Sequence, residues 1–355
     1  MKNISIITIW DENNYGNRLQ NYAVQEILKQ NNNVVTIKNK AILNNKKHIM
    51  EYLLRTLKNM ILHIKGVLKK DTRKELFKEF DRNINFSKGT FNYLFNNNVK
   101  NSDYIIVGSD QVWNPNFGRL RDLDLVNFKT NAKKISFSAS FGVAKLPDEC
   151  KGKVQNALNN FKMISVREDT GKEIVEELTG RKDVEVLVDP TMLLTSEEWD
   201  KVAKKPEQLK SEKYILNYFL GELSEKRKNE INRIAKENGC EVINILDKKS
   251  PFYQTGPSEF LYLEKHAFLI CTDSFHSSVF AILYNRPFIV FEREDKTASM
   301  NSRIETLINK FNLKNRNFEG KITEENLKHD YTEAYNILEK EKEKSIVFLK
   351  KALEL

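Results

Sequence analysis

Apolar and polar positions along the chain follow two periods, one of two residues and one of 3.6. Residues 4–10 are a β-branched apolar run, and 11–16 carry turn chemistry. From Asn17, Leu19, Tyr22, Ala23, Ile27 and Leu28 fall on one helical face, and a second apolar run covers 34–37. This strand–helix–strand opening predicts a parallel sheet wound with helices. The alternation resumes with strands over 103–107, 134–138, 163–166 and 184–188 and helices over 150–161 and 168–179. The stretch 193–212 is polar, with a helix start at Ser196 and a break at Pro206, and a domain boundary is placed there. The second half repeats the pattern: strands over 214–219, 241–245, 267–271 and 287–291, helices over 224–238, 257–265, 276–284 and 300–311. A charged helix over 332–355 follows. The pattern predicts an α/β first domain over 1–195, a second over 196–330 and a C-terminal helix over 331–355.

Residues 41–100 interrupt the first domain as a helical insertion. Within it the stretch from Met50 to Lys70 is amphipathic, with Leu53, Leu54, Leu57, Met60, Ile61, Ile64, Val67 and Leu68 on one side. Arg55, Lys58, Lys65, Lys69 and Lys70 are basic. Such a stripe packs on its own domain or a partner subunit, or it makes a peripheral contact with an anionic membrane.

Composition narrows the classes. A chain of 355 residues suits two domains. The net charge of +9, from 58 Lys and Arg against 49 Asp and Glu, favours anionic partners without naming one. No nucleic-acid reader motif is present, so no nucleic-acid partner is expected. Cys150, Cys240 and Cys271 are widely spaced and odd in number, which argues against a disulfide framework or a Cys-rich zinc site. The 5 His residues show no paired-ligand spacing, so no metal is expected. No apolar run approaches the ~20 residues that span a bilayer. The opening run has no cleavage site, and a cytoplasmic location is expected, with the inner membrane face as its outer limit.

In a doubly wound sheet, ligands gather outside the carboxyl ends of strands. Six segments occupy such ends. Asn14, Tyr15, Gly16 and Asn17 lead into a helix N-terminus that suits an anionic or hydroxyl-rich ligand, or they form an ordinary turn. One glycine and a basic end to the second strand argue against a dinucleotide fingerprint. Gly108, Ser109 and Asp110 follow an apolar strand; Asp110 could accept a sugar hydroxyl proton, or Ser109 or Asp110 could cap a turn. Ser138 lies in a run of small polar residues. Arg167 ends a strand with a fork suited to carboxylate or phosphate, or pairs with Glu168 or another acid at the domain seam. Asp273 and Ser274 have capping chemistry, and His276 falls in the first turn of a helix with Ser277 and Ser278 as further donors. That places a titratable imidazole in an anion pocket. Asn301 and Arg303 open a later helix, where Arg303 is a second cation or a solvated one.

These segments, in this order, resemble the polysaccharide pyruvyl transferase family. The likeness is carried by Asn13-Asn14-Tyr15-Gly16-Asn17, Gly108-Ser109-Asp110-Gln111-Val112-Trp113-Asn114, Ser138-Ala139-Ser140-Phe141-Gly142, Val166-Arg167-Glu168-Asp169, Val188-Asp189-Pro190-Thr191, Asp273-Ser274-Phe275-His276 and Asn301-Ser302-Arg303. The resemblance implies two Rossmann-like domains in a GT-B-like arrangement. It implies transfer of the enolpyruvyl carbons of phosphoenolpyruvate onto two hydroxyls of a glycan or lipid-linked sugar, without redox cofactor or metal. It further implies that Arg167, the His276 helix start and Arg303 hold the donor. His276 would be the general acid, Asp110 would assist the attacking hydroxyl, and Asn14 to Asn17 would face the acceptor. Many family members carry arginine two residues before this histidine. Here that place is Ser274, so one donor-binding cation is missing or is supplied elsewhere, with Arg303 and Lys296 as candidates. Two other functions fit the same chain: a GT-B glycosyltransferase with a nucleotide-sugar donor, and a non-catalytic assembly or membrane-docking subunit.

Overall fold

The computed structural model describes residues 1–11, 13–38, 72–87, 97–293 and 302–355. The stretch from Met50 to Lys70, Lys296 and Asn301 lie outside the described residues. In chain order the first half runs β1 (Lys2–Ile7), α1 (Tyr15–Leu28), β2 (Asn32–Ile37), α2 (Thr72–Phe80), α3 (Asn97–Lys100), β3 (Tyr104–Val107), β4 (Lys133–Ala139), α4 (Asp148–Leu158), β5 (Met163–Val166), α5 (Asp169–Thr179), β6 (Glu185–Val186) and α6 (Ser196–Asp200). Its six strands are parallel and lie in the order β2-β1-β3-β4-β5-β6.

Period-two alternation decides which strand residues face which layer. Ile4, Ile6, Tyr104, Ile106, Ile135 and Phe137 face one side, under Val24 and Leu28 of α1. Ile7, Ile105, Val107 and Ala139 face the other, under Val154, Ala157, Leu158, Ile174 and Val175 of α4 and α5. Two strands are shorter than their apolar runs. β1 stops at Ile7, and the Thr8 hydroxyl donates to the Ser109 carbonyl at 2.9 Å. β6 keeps two residues, because Asp189 caps a 3-10 turn over Pro190–Leu193 and turns the chain away.

The second half runs β7 (Tyr214–Tyr218), α7 (Glu225–Asn238), β8 (Glu241–Asn244), α8 (Pro257–His266), β9 (Leu269–Thr272), α9 (Phe275–Leu283), β10 (Phe288–Val290), α10 (Ser302–Lys310), α11 (Glu324–Leu327) and α12 (Thr332–Leu353). Its four strands are parallel in the order β10-β9-β7-β8. The expected boundary at 195/196 falls in the link between β6 and β7.

The two halves share apolar packing. Tyr15, Leu19 and Tyr22 of α1 and Phe77 and Phe80 of α2 belong to one buried cluster with Phe260 of α8 and Phe280 of α9. The Tyr15 ring stacks on Phe260 at 4.6 Å between centroids. Each such fully buried side chain contributes about 1.5–3 kcal/mol, so α1 ties the halves while its N-terminus faces the cleft. α12 is also shared: Ala334 and Leu338 join that cluster, and Phe348, Leu349, Ala352 and Leu353 pack on the first sheet. Among the described residues no helix is long and apolar enough to cross a membrane.

Candidate functional site

The carboxyl ends of β3, β4 and β5 converge with the N-termini of α1 and α9. Asp110 and Asp189 follow β3 and β6, and Arg167 follows β5; all three are buried. Arg167 bridges the two acids. Its Nη1 donates to Asp189 Oδ2 at 2.5 Å and its Nη2 to Asp110 Oδ1 at 3.1 Å. Its guanidinium carbon lies 4.4 Å from the centroid of the Phe275 ring. Asp189 is further held by the Ser109 hydroxyl at 3.0 Å and by the Thr191 amide and hydroxyl at 3.0 and 2.7 Å. Asp110 also accepts from the Asn17 carboxamide.

Burial by itself would raise the Asp110 carboxyl, but Arg167, His276 and Arg303 reverse this and hold it well below the usual carboxylate range. Asp189 behaves in the same way: burial raises it, and Arg167 and His276 bring it below its ordinary value. Burial opposes the charge on Arg167, but Asp189 and Asp110 more than restore it. The triad is therefore fixed as carboxylate, guanidinium, carboxylate.

His276 enters from α9. Its Nε2 is buried without a hydrogen-bond partner and lies 3.8 Å from Asp189 Oδ2. Burial pushes the imidazolium down against the pull of Asp189 and Asp110, so the ring favours its neutral form. Gly16 of α1 packs against its other edge. A Cβ on Gly16 would sit 2.1 Å from His276 Nδ1, so only glycine leaves room for the ring. Asn14 caps α1 by accepting from the Asn17 amide at 3.2 Å. Arg303 of α10 brings its Nη1 to 3.9 Å from Asp110 Oδ1. Burial first, then the like charge of Arg167, pushes Arg303 down to about 10.

The structure thus gathers Asn17, Gly16, Ser109, Asp110, Arg167, His276 and Arg303, and gives several of the other candidates partners away from the cleft. Tyr15 does not face an acceptor: its hydroxyl donates to the Thr255 carbonyl at 2.9 Å and accepts from Arg73 at 2.7 Å, inside the shared core. Ser138 is buried in β4, between β3 and β5, and donates to the Val188 carbonyl at 2.8 Å. Asp273 does not cap α9. It accepts from the Leu220 and Gly221 amides at 2.7 and 2.8 Å and pairs with Arg293 at 3.2 Å, holding the loop after β7. Ser274 stands at the N-cap, but its side chain makes no capping bond. Ser277 donates to the buried Glu264 at 2.6 Å, and Ser278 to the Ser274 carbonyl at 3.1 Å, so neither is a donor to the cleft.

Two roles change as well. Arg167 is not a free cation: its alternative as an ion pair at the seam is realised, with Asp110 and Asp189 as partners. Asp110 is likewise taken up: its Oδ1 accepts from Arg167 and its Oδ2 from Asn17. Asp189 stood in the sequence without a role, and its position after an apolar run and before Pro190 was the available signal. Glu168 was also missed: its Oε1 accepts from the Ser140 hydroxyl and from the Phe141 and Gly142 amides at 2.9, 2.9 and 3.2 Å, shaping the turn after β4. Among the described residues no three His, Cys, Asp or Glu side chains converge as a metal-ligand set.

Comparison with known proteins follows this geometry. Among solved structures, a glycosyltransferase from Rickettsia africae is similar with a TM-score of 0.50 and 13% identity, covering 99% of each chain. A UDP-GlcNAc 2-epimerase from Neisseria meningitidis, bound to UDP-GlcNAc, gives a TM-score of 0.46 and 10% identity over 97% of this chain and 94% of its own. The first likeness supports the fold, two Rossmann-like domains in a GT-B-like arrangement. A search of curated proteins gives no significant match. The model of the family described as polysaccharide pyruvyl transferase matches residues 14–295. That span holds every segment of the cleft except Arg303, and the chain belongs to the polysaccharide pyruvyl transferase family.

Proposed function

We propose that the chain transfers the enolpyruvyl carbons of phosphoenolpyruvate onto two hydroxyls of one sugar, releasing phosphate and leaving a pyruvate ketal on a glycan or lipid-linked acceptor. The observation that carries this is His276: a buried imidazole with an unpartnered Nε2, seated on Gly16 and flanked by Arg303. Carboxylate and phosphate charges arriving beside it favour its protonated form. His276 then delivers a proton to the donor's methylene carbon; the C2=C3 pair forms the new C–H bond and C2 becomes cationic. The first sugar hydroxyl adds to C2 and gives its proton to the neutral imidazole, so one residue serves as acid and then as base. Phosphate departs with the C2–O pair. The second hydroxyl adds to C2, and its proton leaves on the phosphate. Asp189 and Asp110 stay ionised throughout and stabilise the imidazolium and the developing cation at C2.

A thermal-shift titration with phosphoenolpyruvate and a panel of nucleotide sugars tests the donor. Phosphoenolpyruvate at 100 times its Kd is expected to add about 2.7 kcal/mol. Stabilisation by a nucleotide sugar alone would replace this donor, and Ser274 would then mark the change. His276→Gln is expected to lower turnover about 10²–10⁴-fold with the fold intact; unchanged turnover would end the mechanism.

A further inference from the structure

We propose that the second domain carries a sugar subsite of its own, in a cavity between α7 and the carboxyl ends of β7 and β8; this rests on the glycan acceptor proposed above and gives the cavity a neutral sugar unit of it, away from the unit that reacts. The cavity has a volume of about 500 Å³, within the range of small-ligand pockets. Asn217, Phe219, Asn244 and Leu246 line it from the sheet side, and Asn232 from α7. Asn217 and Asn244 are register partners on the parallel strands β7 and β8. By the period of two, Asn217 shares a face with Ile215, and Ile215 packs with Ile231, Ile234 and Ala235 of α7. A pair of carboxamides therefore stands where a helix-covered face calls for apolar residues.

Asn217 is only 6% exposed. Its Nδ2 donates to Asn244 Oδ1 at 2.9 Å, and its own Oδ1 is buried without a donor among the described residues. A buried oxygen left so is costly, and a ligand that brings a donor into the cavity relieves the cost. The charges on the wall point to a neutral ligand. Lys228 is paired with Glu225 at 2.7 Å, so it is no spare cation for a phosphate or carboxylate. Asp247, whose Oδ1 accepts from the Lys249 amide at 2.9 Å, adds an acceptor. Carboxamides both donate and accept, and here they lie beside the apolar Phe219 and Leu246. A sugar ring answers both surfaces, with hydroxyls that donate and accept and a C–H face that is apolar. β7 runs on from this cavity to Leu220 and Gly221, whose amides Asp273 holds just before the start of α9. The cavity is thus at the same end of the second sheet as His276.

Saturation-transfer NMR of the full chain tests this, with the methyl glycosides of glucose, galactose, mannose and N-acetylglucosamine as probes and uridine beside them. Two variants accompany the wild type. The double variant Asn217→Leu with Asn244→Leu removes both carboxamides together, an exchange that a protein core tolerates. Asn232→Trp fills the cavity from an exposed helix position, where a substitution changes stability little. Thermal midpoints confirm that both fold. At least one glycoside should receive saturation from the wild type, and both variants should bind it about tenfold more weakly, as the loss of two hydrogen bonds implies. Equal binding by wild type and variants would put the sugar elsewhere and overturn the subsite, and so would saturation of uridine alone or of no probe. Glycoside binding that depends on these residues, in a protein that ignores phosphoenolpyruvate, would keep the subsite and remove the donor.

Discussion

Arg167 and Arg303 approach the same carboxylate, Asp110, from opposite sides of the cleft, and they are in opposite states. Arg167 makes short bonds to two acids that are themselves held by Ser109, Thr191 and Asn17. Arg303 reaches Asp110 only at 3.9 Å and bonds instead to the neutral amide oxygen of Gln111, at 2.8 Å from Nη1, while burial lowers its pKa to about 10. The first-domain face is an ion-paired scaffold: both terminal nitrogens of Arg167 are bonded to carboxylates, although its buried Nε has no acceptor. The second-domain face has no such carboxylate bonds: His276 Nε2 is unpartnered, and the charge of Arg303 is met by a neutral amide. A site for an anion needs both: a fixed field to orient the chemistry and unspent donors to receive the charge.

The largest expected effect comes from breaking the ion-paired side. Asp189→Ala leaves Arg167 buried with one partner, and chemical denaturation should show a loss of about 3–5 kcal/mol. Arg303→Gln should change stability by less than about 1 kcal/mol while weakening donor binding. Equal losses in the two variants would erase the distinction. Gly16→Ala comes next. The new Cβ must displace the imidazole or α1, at about 1–3 kcal/mol, and turnover should fall with it; a crystal structure of the variant would show which moved.

The smallest effect is in pH. Burial lowers the folded pKa of His276 below its ordinary 6.5, so the unfolded chain binds the extra proton first. Its contribution to stability is complete above about pH 6.5 and is lost as the pH falls towards the folded value. Melting curves from pH 7.5 to 5 should decline for the wild type and flatten for His276→Gln. A parallel decline in both would remove His276 from the account. Asp110 and Asp189 act in the same direction at lower pH, with loss beginning as the pH drops below about 4.

The hydrophobic periods located the strands and long helices of both sheets, because a period of two or 3.6 reports which face of an element is buried. Where an element ended was less legible: β1 and β6 stop where Thr8 and Asp189 find side-chain partners distant in sequence or across a turn. The candidate site was legible as a set of strand ends. Its division into roles was not, since Arg167 as a free cation and Arg167 between Asp110 and Asp189 have the same sequence signature. Ser277, Ser278 and Tyr15 sit among site residues in the chain, but their side chains leave the cleft for the core, a direction set by helix phase and packing.

The sequence by itself determined a doubly wound α/β chain in two halves, the strand ends where chemistry gathers, and His276 at a helix start, because local pattern and turn chemistry encode these. Only the tertiary structure decided that Gly16 is the seat of His276 and that Asp189 locks Arg167. Each of these depends on groups far apart in the chain sharing one buried volume, where an ion's state is set by which partners reach it and which are already taken.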